Sequence, residues 1–211
     1  TQTALALDPS GGVHVAYRGG TGGALRHSVR PVGGAWTEEI VDISFGAGAS
    51  VAIACDSAGA LHLAYTDYED LRYAFQPRGG SWTTMLVDGD DNVGFSPSIA
   101  VDPSGTVHIS YYNQTERDLM YARRVAGGSW TITPVDWVGD VGETTSLAVD
   151  RGRGVHIAYS DVTGEKLKYA YRSPAGTWTK EFADITPHTG DYASLALGTD
   201  GVVHIGYADR T

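Results

Sequence analysis

The stretch Ser98–Asn113, SIAVDPSGTVHISYYN, places Asp102 six residues before His108, with Tyr111 and Asn113 following within one strand's length. Taken alone, it has the residue types of a catalytic or metal-binding cluster. The rest of the chain changes that reading, because the stretch recurs. Its relatives are ALALDPSGGVHVAYR, AIACDSAGALHLAYTD, SLAVDRGRGVHIAYSD and SLALGTDGVVHIGYAD. Histidine stands at 14, 62, 108, 156 and 204, and tyrosine follows three residues later at 17, 65, 111, 159 and 207. A second module, such as LMYARRVAGGSWTITPVD, sets Trp36, Trp82, Trp130 and Trp178 in the same register. A period of this length marks a repeat architecture, in which each copy buries its apolar surface only against its neighbours.

Each copy reads as four short strands. The first, as in Ser98–Val101, is small and uncharged, which suits a crowded interior. An Asp-Pro-Ser-Gly turn follows, where Asp102 is placed to bond the turn backbone and Gly105 is free to take a positive φ. The second strand, Val107–Tyr111, is rich in β-branched and aromatic residues. A third runs over Leu119–Arg123, and a Gly-Gly turn leads to the fourth. That last strand carries Glu38, Glu39, Lys180, Glu181 and Pro134 in its various copies, and charge and proline belong on sheet edges. The first strand is therefore innermost and the fourth outermost. Four-stranded antiparallel sheets repeated radially are the blades of a β-propeller. The expectation is an all-β, single-domain propeller over 1–211, with repeats 1–49, 50–96, 97–144 and 145–192 and a half repeat 193–211.

This organisation decides the opening cluster. Equivalent histidines on neighbouring blades lie roughly 10 Å apart, the spacing of packed sheets, whereas zinc ligands sit within about 2.1 Å of the metal. Five histidines in rotation cannot converge on one ion. They are expected to be structural polar residues, hydrogen-bonded where blades meet, with the tyrosines and tryptophans as interblade packing.

The motif S-L-A-x-D-x-x-G-x-x-H-I-x-Y-x-D, then L-x-Y-A, then G-x-W-T-x-x-x-V-D, resembles a propeller repeat of secreted and cell-surface proteins of bacteria and archaea. SLAVDRGRGVHIAYSDVTGEKLKYAYR is similar to its typical form. The resemblance implies an extracellular or cell-surface setting and a sialidase-like or lectin-like propeller. The sialidase motif S-x-D-x-G-x-x-W is absent, and the sugar-contacting motifs of lectin propellers are not recognisable, so no binding residue carries over. Two copies depart from the pattern: His27 replaces the usual Tyr in the first, and Gly198 replaces the turn Asp in the fifth.

Composition narrows the partners. The net charge is −10, from 25 acidic and 15 basic residues. Phosphate contacts require clustered Lys and Arg, so neither nucleic acid nor an anionic membrane is an expected partner. No apolar run approaches the ~18 to 20 residues of a helical membrane span. The opening residues lack the charged start and apolar core of a signal segment, which gives the expectation of a mature or a trimmed chain. The single cysteine, Cys55, has no internal partner and reads as a small buried hydrophobe.

Function in a repeat protein is sought in what differs between copies. The turns joining first to second and third to fourth strands are short and uniform, and form a lower face. The remaining loops form an upper face that varies, with twelve of the 25 acidic residues. Three readings fit it: a solvated acidic rim, a ligand face, or an enzyme. A glycosidase needs two carboxyls facing one pocket, and a sialidase also needs an arginine cluster; Arg18, Arg117 and Arg210 are the upper-face arginines. The reading adopted is a non-enzymatic binding or interaction module with a glycan or protein ligand. Its site candidates are Asp67, Tyr68, Phe95, Tyr112, Asn113, Trp137, Asp161 and Tyr192. The alternative is a lectin or glycan-active enzyme on the same scaffold. Calcium is a weaker expectation at Asp90, Asp91 and Asn92, since GDDNVG lacks a known calcium-loop spacing. No other cofactor is expected. Counting strands leaves two apolar blade faces, which leads to the expectation of a longer propeller or of closure through self-association.

Overall fold

A computed structural model describes residues 3–20 and 22–210. The strands of the first blade are β1 (Thr3–Leu7), β2 (Val13–Gly19), β3 (Ala24–Arg30) and β4 (Thr37–Asp42). The second has β5 (Ala47–Cys55), β6 (Leu61–Asp67), β7 (Asp70–Gln76) and β8 (Thr83–Asp88). The third has β9 (Phe95–Val101), β10 (Val107–Asn113), β11 (Asp118–Arg124) and β12 (Thr131–Asp136). The fourth has β13 (Val141–Val149), β14 (Val155–Asp161), β15 (Lys166–Arg172) and β16 (Trp178–Asp184), and a half blade has β17 (Thr189–Leu197) and β18 (Val203–Asp209). Strands lie in sequence order within every sheet, each pair antiparallel. The protein is an all-β propeller of four blades and a partial one, with the first strand of each repeat innermost.

The innermost strands reach further up than the repeat pattern suggests. β5, β9, β13 and β17 begin at Ala47, Phe95, Val141 and Thr189, inside what the sequence presents as interblade loops. Each of these segments shifts register against the second strand. Each also holds or directly follows a glycine with positive φ, as at Gly142 (91°) and Gly94 (86°). A Cβ on Gly94 would lie 2.8 Å from the Cα of Leu71, and one on Gly142 would lie 2.9 Å from the Cβ of Leu119. These glycines let each innermost strand press on the fully buried leucine of the preceding blade's third strand, where a side chain has no room.

Apolar packing follows the blade junctions. Leu71, Tyr73 and Val87 of the second blade meet Ile99, Ile109 and Tyr111 of the third, and Leu119, Tyr121 and Val135 of the third meet Leu147, Ile157 and Tyr159 of the fourth. The first blade differs on its outward side. Leu5 is 62 % exposed, whereas Ile99 and Leu195 at the same repeat position are each 8 % exposed.

The lower turns work as their residues predict. Asp102 Oδ1 accepts from the backbone N–H groups of Ser104 and Thr106, at 2.8 and 2.9 Å, and Gly105 sits at φ 80°. In the fifth copy, where Gly198 replaces the aspartate, Asp200 takes over by accepting from Val202 N. The histidines then bond within their own blade: His108 Nδ1 lies 2.6 Å from the hydroxyl of Tyr121. Tyr121 in turn packs edge-on against Trp178 of the next blade.

Candidate functional site

Every blade junction is hooked near the upper face by one tyrosine and one aspartate 23 residues before it. Tyr65 donates to Asp42, Tyr111 to Asp88, Tyr159 to Asp136 and Tyr207 to Asp184, at 2.5, 2.5, 2.9 and 2.5 Å. The aspartate ends one blade's fourth strand and the tyrosine lies on the next blade's second strand, so the bond ties neighbours together. Burial, reinforced by the aspartates, holds the phenols of Tyr65, Tyr111 and Tyr159 protonated far above the ordinary tyrosine value.

Three of the sequence candidates belong to this framework. Asp67 is paired with Arg72 Nε at 2.6 Å. Asp161 accepts from Gly164 N at 2.8 Å and lies 3.8 Å from Lys168 Nζ, which also reaches Asp136 at 2.7 Å. Asn113 holds the same repeat position but is neutral, and the cation's place is taken by Met120. Its Oδ1 accepts from Thr115 N and Glu116 N, and the residue is buried. In blades two to four, acid and base are thus gained or lost together.

The aromatic candidates separate sharply. Tyr68 is 62 %, Trp137 60 % and Tyr192 73 % exposed. Tyr68 and Tyr192 hold φ values of 59° and 53°, a left-handed conformation that costs a residue with a Cβ about 1 kcal/mol or more. Phe45, which the sequence reading passed over, is also exposed and lies against Tyr68 with ring centroids 5.6 Å apart. Trp137 carries Lys180 Nζ 4.7 Å from its ring centre. Phe95 is half-buried at the start of β9. Tyr112 does not belong to the exposed set: it is 7 % exposed, and its hydroxyl donates to Asp140 at 2.8 Å. β10 is covered on both faces, so all seven residues of that strand are buried and Tyr112 with them. Ile43, Val138 and Ile185 add further exposed apolar side chains to the upper loops. The signal for Ile43 and Ile185 was the variable residue directly after a Val-Asp or Ala-Asp pair, the place that Trp137 takes ahead of Val138.

Between the fourth blade and the half blade the upper face opens into a cleft of about 300 Å³. Glu143, Asp161, Glu165, Asp191, His188 and Arg210 line it. Arg210 Nε pairs with Asp191 at 2.6 Å, and His188 Nδ1 lies 2.7 Å from Glu165. His188 was not singled out from the sequence. The calcium candidates lie at the junction of the second and third blades: Asp90 N is bonded to Asp88, and Asn92 Nδ2 donates to Gln114 Oε1 at 2.7 Å. Among the described residues, no three or more His, Cys, Asp or Glu side chains are grouped to hold a metal ion.

No protein-family model matches the chain, and no curated protein matches it. Solved structures do. The fucose-specific lectin from Aleuria aurantia aligns over 98 % of this chain and 70 % of its own, at 14 % identity and a TM-score of 0.62. A Hadza microbial sialidase aligns over 97 % of this chain and 52 % of its own, at 14 % identity and a TM-score of 0.61. The exo-β-1,3-galactanase from Phanerochaete chrysosporium aligns over 95 % and 54 %, at 12 % identity and a TM-score of 0.60. The chain therefore spans about half the length of the galactanase and the sialidase, and at such identities the likeness is one of fold.

Proposed function

We propose that this propeller is a non-catalytic binding module whose upper face takes a carbohydrate. The observation that carries the reading is the set of three exposed rings, Tyr68, Trp137 and Tyr192, two of them on strained backbone. Strained backbone clusters at ligand sites, and here it carries rings that face solvent and not the core. An aromatic face with carboxylates beside it suits a sugar, since the ring stacks on the apolar C–H face and the acids accept from hydroxyls. The lectin and glycan-processing propellers that share the fold agree with this assignment, and the setting proposed with it is extracellular or cell-surface.

The test is a glycan array probed with the intact chain, followed by titration of Tyr68→Ala, Trp137→Ala and Tyr192→Ala. At least one of the three substitutions should weaken binding tenfold or more while the melting temperature stays within a few degrees. Equal binding by all three variants, or no glycan bound at all, overturns the reading. The cleft lined by Glu143, Asp161, Glu165 and Asp191 favours a second reading, a glycan-active enzyme. Two of its carboxylates are held in ion pairs with His188 and Arg210. Turnover of an oligosaccharide found on the array, abolished by Glu143→Gln, would establish the second reading over the first.

A further inference from the structure

Blades two and four contain the same polar chain, and the third repeats its histidine–tyrosine bond with His108 Nε2 3.6 Å from Asp102. Asp56, His62 and Tyr73 form it in the second, with His62 Nδ1 2.6 Å from the phenol and Nε2 3.4 Å from the carboxylate. Asp150, His156 and Tyr169 form it in the fourth, at 2.6 and 3.1 Å. A neutral imidazole satisfies both contacts, because Nε2–H donates to the carboxylate and the phenol O–H donates to Nδ1. Burial accordingly holds His62 below the ordinary histidine value and takes His108 down to about 4.

The first blade is built differently. His27 stands where the others have tyrosine, and Glu39 stands opposite it where Met85 stands opposite Tyr73. The result is a line of four groups: Asp8 lies 3.4 Å from His14 Nε2, His14 Nδ1 lies 2.9 Å from His27 Nε2, and His27 Nδ1 lies 2.9 Å from Glu39 Oε1. The two rings are parallel within 6° and their centres are 5.1 Å apart. That separation is the one expected of rings meeting nitrogen to nitrogen in a common plane, with no room for a metal between them. Three contacts need three protons, and two neutral imidazoles supply only two. A third proton completes the line. A fourth sets two N–H groups head to head on two adjacent cations.

We propose that this line is a proton-counting latch between the first and second blades, closed with three protons on its two rings and opened by a fourth. The output is direct, because Glu39 Oε1 also accepts from Gln76 Nε2 and Trp82 Nε1 of the second blade, each at 2.9 Å. Water reaches the line through a cleft of about 280 Å³ beside Asp8 and His14. Arg78, on the turn after β7, lines that cleft, and Cys55 of β5 lies near Asp8 with its thiol pushed up by burial. Both carboxylates stay ionised across the working range. Hydrogen bonds led by Ser10 hold Asp8 low, and at Glu39 the donors His27, Gln76 and Trp82 outweigh burial. Burial keeps the proton affinity of His27 below that of an ordinary histidine, the direction that refuses a fourth proton.

In an unfolded chain both histidines charge below about pH 6.5, whereas the folded pair accepts one extra proton. The unfolded state then binds one proton more, and the junction loses up to about tenfold in its closed-to-open ratio for each unit of pH below that value. Hydrogen exchange on the intact chain from pH 7.5 to 5, corrected for intrinsic rates, reads this out. Protection in β4 and β5 should fall before that in β12 and β13. His27→Tyr, which restores the pattern of the other blades, should bring the two junctions into step. Parallel loss at both junctions in the unsubstituted chain, or an unchanged profile in His27→Tyr, overturns the latch. If that variant does not fold, nitrogen NMR of the histidine rings in the unsubstituted chain decides. Uptake of one proton by the His14–His27 pair before any loss of structure supports the latch, and uptake of two refutes it.

Discussion

The third and fourth blades are built on one pattern and hooked to their predecessors by the same bond, yet the chemistry around the two hooks is opposite. Tyr111 meets Asp88 beside Met120 and Asn113, with no cation among the described residues paired to the carboxylate. Tyr159 meets Asp136 beside Lys168 and Lys180, whose ammonium groups lie 2.7 and 2.9 Å from the carboxylate. Asp136 is 1 % exposed. A phenol is enough for a buried aspartate at the first hook, and two ammonium groups are added at the second, where Asp161 contributes another negative charge. Between these two blades the bond is kept while the charge changes, and the added acid of the fourth arrives with a base.

The largest effect expected from this difference is on removal of the aspartate. Asp136→Ala strips two ammonium groups of their buried partner and should cost about 3 to 5 kcal/mol, against about 1 to 2 kcal/mol for Asp88→Ala, which loses a neutral donor. Denaturant titration of both variants checks the ranking. Burial works to raise the Asp136 carboxyl, but Lys168, Lys180 and Tyr159 outweigh it and leave it lowered. Its contribution is therefore present above the unfolded value near ~3.9 and is lost as pH falls through the lower folded value. The gap between Asp136→Ala and the unsubstituted chain should persist at pH 5 and narrow only in stronger acid. Equal costs for the two alanine variants would break the comparison.

A smaller effect sharpens it. Asn113→Asp gives the third blade the acid of the fourth without a base. Asp118 nearby already has its carboxyl raised by burial and by Glu116 and Asp136. The new carboxyl should titrate high as well, so folding would be opposed at neutral pH by about 1 to 2 kcal/mol and relieved on acidification. Met120→Arg, added to Asn113→Asp, should recover most of the loss by copying the Asp67–Arg72 pair. A double-mutant cycle measures the coupling, and absence of coupling would mean that charge balance is not what selects these residues.

Much of this framework was legible in the residues and part was not. The period, the turn aspartates and the inner-to-outer strand order all follow from chemistry that every copy repeats. The hook was on view as a Val-Asp pair and a tyrosine 23 residues later, but nothing in one strand's pattern says which residue of the next blade it will meet. Gly48, Gly94, Gly142 and Gly190 recur too, and their role appears only when Leu71 or Leu119 is seen pressed against them. Tyr68 and Tyr112 read alike as upper-face aromatics. They differ because one ends in a strained turn and the other in a strand covered on both sides. Burial of that kind is a property of the junction and not of the repeat.

The smallest effect comes from the lower face, where the turns of the same two blades place different residues at one positive-φ position. Gly105 and Arg153 occupy equivalent places in the turn, donating to Asp102 O and Asp150 O at 2.9 and 3.0 Å. Both have positive φ, 80° and 70°. Glycine takes that conformation without penalty, whereas a side chain costs about 1 to 2 kcal/mol. Against this, glycine loses roughly 0.5 to 1 kcal/mol more backbone entropy on folding. Arg153 is exposed, so Arg153→Gly gives up no core packing. The net expectation is a gain of about 0.5 to 1 kcal/mol, seen as a small rise in melting temperature. Gly105→Arg should lose a similar amount in the third blade. A loss on Arg153→Gly would mean that the arginine does work in the fourth blade that its turn geometry does not reveal.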